Sequence, residues 1–197
     1  ILFYIWNTDE TGTRLRDLLV EKAKQGVRVY ALADAVGSPD FHGRFLRPLI
    51  EAGGRAAVFL PARFRPWAPT FNFRNHRKLI TIDGETAFTG GMNIGDEYLS
   101  DWRDIAVELK GSIVAVFDSI FAEDWCFATG EALASGYRGR LSDEGPLIAA
   151  IASGPDRQKN RMQDAFFLAI NSAKKRIWLT TPYFIPGPVI LASLAGA

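Results

Sequence analysis

Apolar and polar positions along the chain fall into blocks whose period changes from one block to the next. Residues 1–6, Ile-Leu-Phe-Tyr-Ile-Trp, form an apolar run of strand length, whereas residues 12–25 place Leu15, Leu18, Leu19 and Ala23 at helical spacing. The same reading predicts a strand over 27–33, a helix over 40–52 and a strand over 55–60. A long loop then runs to Asn75. The β-branched run at 79–82 and a return strand at 86–89 flank Asp83-Gly84, a two-residue hairpin signal. A strand over 105–109 and a long helix from 113 to 129 follow, and the stretch beyond 130 is rich in Gly, Ser and charge and reads as a connection. Strand, helix and strand resume at 147–152, 159–173 and 176–181. Strands alternating with helices predict an α/β layered sheet.

Length and composition set bounds on that picture. A chain of 197 residues is large enough for a real core and fits one domain, or one plus part of another. The formal net charge of +1 argues against a globally electrostatic nucleic-acid binder. The single cysteine, Cys126, excludes an intrachain disulfide and a cysteine-based metal site, and its apolar neighbours predict a buried helix position. No apolar run approaches the roughly 20 residues needed to span a bilayer, and no signal peptide is visible. The chain starts without methionine in a core strand and stops inside an apparent helix, so both ends are expected to be cut.

Candidate chemistry concentrates at His76-Arg77-Lys78 and at Gly90-Gly91-Met92-Asn93. If the hairpin closes over two residues, Ile82 pairs with Glu85, Lys78 with Thr89 and His76 with Gly91. That register puts His76, Lys78 and Asn93 on one face. Gly91 then leaves space for a tetrahedral group, Lys78 brings charge and Asn93 brings neutral donors. Asp83 falls in the turn, where backbone hydrogen bonding explains it at least as well as catalysis does.

The pattern H-x-K-x4-D-x6-G-G-x-N resembles the signature of the phospholipase D superfamily, and the wording around Asn75–Lys78 and Gly90–Gly95 is similar to bacterial cardiolipin synthases. Gly26–Asp34 resembles the family's second core strand, Asp101–Asp104 its segment after the motif, and Thr181–Pro186 the opening of its second half. The resemblance implies an α-β-α sandwich with two similar halves and the active site between them. Residues 1–135 would form the first half, 136–146 a linker and 147–197 the start of a second, truncated half. It further implies that His76 is a nucleophile, assisted by Lys78, Asp83 and Asn93, with Asp104 orienting the imidazole. A faint likeness between residues 1–23 and 177–197 agrees with an internal repeat.

The loop before the motif carries Arg55, Arg63, Arg65, Arg74, Arg77 and Lys78 interleaved with Phe64, Trp67, Phe71 and Phe73, with no acidic residue between Ala52 and Ile82. Three readings fit: Arg74, Arg77 and Trp67 could hold an anionic phospholipid at a membrane interface, the same residues could serve nucleic acid, or the aromatics could simply pack the loop. His42, the only other histidine, lacks the accompanying lysine and reads as a helix or loop residue. The proton for a leaving alcohol must therefore come from a missing second half or from a second copy of the chain. The expectation is a phosphatidyltransferase forming cardiolipin from two phosphatidylglycerols, the full-length protein lying at the bacterial cytoplasmic membrane. Hydrolysis of a phosphodiester, or inactivity of this part alone, is the alternative. No metal or cofactor is called for, because the cationic and donor groups come from side chains, and no nucleic-acid partner is expected.

Overall fold

In the computed structural model, which describes residues 1–60, 74–134, 136, 145–153, 161–181 and 183–197, the apolar start of the chain forms β1 (Leu2–Phe3). The chain divides into two compact units, Ile1–Ala150 and Ile151–Ala197. The first continues through α1 (Glu10–Lys24), β2 (Tyr30–Asp34), α2 (Gly43–Glu51), β3 (Arg55–Phe59), β4 (Leu79–Ile82), β5 (Thr86–Gly90), α3 (Glu97–Ser100), β6 (Ala106–Lys110) and α4 (Ile113–Thr129). Its strands make one mixed sheet in the order β3-β2-β1-β4-β5-β6. β1, β2 and β3 run parallel, whereas β4 is antiparallel to β1 and the pairs β4–β5 and β5–β6 are antiparallel.

Neighbouring strand side chains point to opposite faces, and this period of two builds the layers. Leu2, Leu32 and Leu79 pack with Phe121 and Trp125 of α4 on one face. Phe3, Ala31 and Ala33 pack on the other with Leu19, Val20 and Ala23 of α1 and with Phe45, Leu46 and Leu49 of α2. The result is the expected α-β-α sandwich. Trp125, 1% exposed, anchors the α4 layer, and its burial contributes roughly 3 kcal/mol. Its indole N–H also donates to Glu131 at 3.2 Å. α1 begins where Asp9 accepts the Gly12 N–H at 2.9 Å, and α4 ends at Gly130 in the left-handed conformation.

Several local expectations are corrected. The hairpin pairs Leu79 with Thr89 and Ile82 with Thr86, one residue away from the expected register. Asp83 and Gly84 do take positive φ, 55° and 68°, but Glu85 joins the turn and moves β5 along by one. Residues 147–152 and 176–181 form no strand, since an extended segment needs a hydrogen-bonded neighbour to be stable and Leu147 and Trp178 stand exposed. Cys126 lies on the exposed side of α4 rather than in the core. The second unit contains α5 (Arg161–Ser172) and α6 (Pro188–Gly196), the latter opening on a proline whose missing N–H costs nothing at that position. Among the described residues, no helix is long and apolar enough to cross a membrane.

Candidate active site

The strand directions bring distant segments to one end of the sheet. Because β4 runs antiparallel to β1, residues entering β4 lie beside those leaving β1. β2 and β5 leave, and β6 enters, on that same side. Tyr4, Asp34, His76, Lys78, Gly91 and Asp104 therefore converge at the carboxyl ends of the parallel strands, where open α/β sheets bind ligands.

His76 is exposed overall, but one face of its ring stacks on Tyr4 with centroids 3.7 Å apart and planes 18° apart. Loss of water from around the ring, then the charge of Lys78, lower its pKa below the usual histidine value, while Asp34 pulls it back up. That balance favours the neutral ring. Lys78 donates through Nζ to the His76 carbonyl at 2.8 Å and sits 5.7 Å from the Tyr4 ring centre. Burial lowers the Lys78 pKa, and the carboxylate of Asp104 opposes that shift.

The residues around this pair are held by the fold. Asp34 is fully buried at the end of β2, and its Oδ2 accepts the Asn75 N–H at 3.0 Å. Arg74 reaches back toward it, with Nη1 3.6 Å from Asp34 Oδ1 and bonded to the Leu60 carbonyl at 3.3 Å. Asn93 accepts the Ile5 N–H on Oδ1 at 3.0 Å and donates to the Tyr98 hydroxyl at 3.0 Å, so it braces the end of β1 against the segment after β5. The Asp104 carboxylate lies directly against Gly91, where an added Cβ would meet Oδ1 at 2.2 Å.

The expected site residues divide accordingly. His76, Lys78, Gly91, Asn93 and Asp104 share one end of the sheet. Asp83 does not join them, being in the hairpin turn at the opposite end of β4. The expected His76–Asp104 pair is not formed; Asp104 Oδ1 accepts its neighbour's N–H, that of Ile105, at 2.7 Å. Arg77 is turned away from the site and pairs with Asp124 on α4, as period two dictates for a residue two positions before Leu79. Arg74 is only 11% exposed and is occupied by Asp34 and Leu60, so neither arginine stands ready for substrate in this arrangement. Trp67, with Arg63, Arg65, Phe64, Phe71 and Phe73, lies outside the described residues. His42 occupies the N-cap position of α2. Sequence reasoning missed Tyr4, for which no local signal exists because only the β1–β4 pairing brings it to His76.

Over 202 aligned positions the chain is 41% identical to cardiolipin synthase 2 of Bacillus cereus, covering 98% of this chain and 39% of that protein. It is 39% identical to the major cardiolipin synthase ClsA of Bacillus subtilis, again over 98% of this chain and 42% of the relative. Cardiolipin synthase A of Pseudomonas putida is 40% identical, covering 98% of this chain and 42% of its own length. The chain thus spans about two-fifths of the length of the curated relatives it matches. A crystal structure of a phospholipase D family member, Nuc from Salmonella typhimurium, superimposes with a TM-score of 0.48 at 19% identity, covering 64% of this chain and 76% of that one, a likeness too slight to bear on the fold. The family described as cardiolipin synthase, PLD-like domain, matches residues 1–125, more than half of the chain. With that match spanning the sheet and every residue of the site, the chain belongs to the cardiolipin synthase, PLD-like domain family.

Proposed function

We propose that this chain is part of a phosphatidyltransferase of phospholipid biosynthesis, in which His76 accepts a phosphatidyl group from phosphatidylglycerol and passes it to the hydroxyl of a second phosphatidylglycerol. The observation that carries the reading is a solvent-reachable imidazole stacked on Tyr4 at the carboxyl ends of the strands, with a lysine beside it. The lone pair of a His76 ring nitrogen attacks phosphorus, a P–N bond forms, and the P–O bond to glycerol breaks. Lys78 and the Asn93 amide neutralise charge on the phosphoryl oxygens. The departing glycerol oxygen takes a proton from an acid that another part of the protein, or a second copy of it, contributes. The acceptor hydroxyl returns that proton to the same group as it attacks the phosphohistidine, giving cardiolipin and restoring the neutral ring. The anionic head group and a membrane surface are the partners this reading entails.

The test is a phosphoenzyme trap with labelled phosphatidylglycerol in the full-length protein that contains this chain, together with product analysis. Label on His76 that is lost in His76→Ala, with cardiolipin and glycerol released, supports the proposal. Phosphatidic acid as the main product would assign a hydrolase instead, and absence of any phosphoenzyme would leave a lipid-binding role.

A further inference from the structure

The loop that follows β2 contacts both the chain leading into His76 and the residue whose ring His76 stacks on. Asp34 has no exposed surface, and burying a carboxylate is costly unless every lone pair is met. Its Oδ1 accepts the N–H groups of Val36 at 2.8 Å and Gly37 at 3.3 Å, and its Oδ2 accepts that of Asn75 at 3.0 Å. Ser38 closes the loop by donating its N–H to the Asp34 carbonyl at 2.9 Å. The Ser38 hydroxyl then donates to the Tyr4 carbonyl and accepts the Trp6 N–H, both at 2.9 Å. Gly37 lies so close to Tyr4 that an added Cβ would be 2.2 Å from its carbonyl oxygen. On the other side, Asn75 is 5% exposed and its Oδ1 accepts the Arg77 N–H at 3.0 Å, bridging across His76.

We propose that Asp34 is a positioning residue for His76: its buried carboxylate joins the Asp34–Ser38 loop and the Asn75 backbone into one frame, which fixes both the entry of the imidazole and the Tyr4 ring beneath it. This rests on His76 being the nucleophile. Its logic is that a fully buried charge at the end of a central strand is satisfied by donors from the very segments that flank the reacting ring. Hydrophobic packing could close the same space without that desolvation, but it would not aim the segments. The charged and titratable groups around His76 are Lys78 on β4, Asp34 with Arg74 against it at the end of β2, Tyr4 beyond β1, and Asp104 before β6, which acts on Lys78.

The chain contains two histidines, so imidazole NMR reads His76 directly with His42 as an internal control. In folded Asp34→Asn, the titration midpoint of His76 moves to lower pH while that of His42 stays, because the carboxylate that favours the imidazolium is gone. A His76 midpoint that is unchanged or higher overturns the proposal. Should Asp34→Asn lose its dispersed spectrum, Ser38→Ala decides, since it keeps every charge and removes only the link to Tyr4 and Trp6. The upfield ring-current displacement of the His76 ring protons then shrinks, and an undiminished displacement overturns the proposal. Both readouts are independent of turnover, so a failed phosphoenzyme trap with these shifts intact would count against the function proposed above and not against the frame.

Discussion

Gly91→Ala is a sharp perturbation because the obstruction belongs to a single side chain. The three atoms nearest to an added Cβ are Oδ1, Oδ2 and Cγ of Asp104, at 2.2, 2.5 and 2.6 Å. Ordinary carbon contacts begin near roughly 3.5 Å, so the carboxylate must retreat by about 1 Å or more. Asp104 is exposed and can swing, and what it surrenders is its bond to the Ile105 N–H, a net contribution of about 1 kcal/mol. Residual crowding brings the expected cost of Gly91→Ala to about 1–2 kcal/mol. Gly91 is not at positive φ, so without the clash an alanine there stabilises by about 0.5 kcal/mol through the unfolded state. The double-mutant cycle with Asp104→Ala, measured by urea denaturation, should therefore show a coupling of about 2 kcal/mol. An equal cost of Gly91→Ala with and without Asp104 would refute the reasoning, because the clash would then lie with backbone.

Three further outcomes follow from the geometry. Arg77→Ala leaves Asp124, which is 6% exposed and has one carboxylate oxygen without a partner, as a buried unpaired charge; a loss of about 3 kcal/mol is expected in chemical denaturation, and a loss no larger than that of Arg77→Ala/Asp124→Leu would contradict it. In Lys78→Met the His76 midpoint rises toward the ordinary 6.5 as the repelling charge goes. The folded pKa of His76 is depressed, so the unfolded chain binds the proton more tightly and stability is lost as pH falls through 6.5 toward the folded value; Lys78→Met should flatten that part of the stability curve, and an unaltered slope would speak against the assignment. At the hairpin turn, Asp83→Gly should change stability by less than about 0.5 kcal/mol, whereas Asp83→Val should cost about 1–2 kcal/mol because φ is 55° there; equal melting temperatures for the two variants would sink the turn reading.

Elements with many turns of periodicity were legible in the sequence. α4, with a long apolar pattern and a glycine stop, has the bounds its pattern predicts. α3 was not visible, since four residues within an acidic loop carry no period. The hairpin was legible as a hairpin but not in register, because membership of Glu85 in the turn depends on backbone angles that Asp-Gly alone does not dictate. Likewise, the motif gives the residue types of the site, while partners are decided by topology. Arg77 looks like a phosphate ligand until α4 brings Asp124 against it. Cys126, among apolar neighbours, points outward because Phe121 and Trp125 already define the inner face of α4. Tyr4 and Ser38 carry no signal at all, being ordinary residues that long-range contacts bring together, Tyr4 against the His76 ring and Ser38 against the Tyr4 carbonyl.

The strand order has a consequence for how the chain folds. β4, β5 and β6 are joined by antiparallel pairings between sequence neighbours, and such local contacts form quickly. β1 is only two residues long, yet it is the strand on which β2 and β4 both pair, with Leu2 opposite Leu32 on one side and Leu79 on the other. The β1–β4 contact closes a loop that among the described residues contains α1, β2, α2 and β3, so its closure costs more chain entropy than that of the hairpin. His76 and Tyr4 meet only at that step. The imidazole and the ring it stacks on are therefore joined by the pairing with the longest intervening chain in the sheet, and β4, β5 and β6 without β1 would hold no such stack.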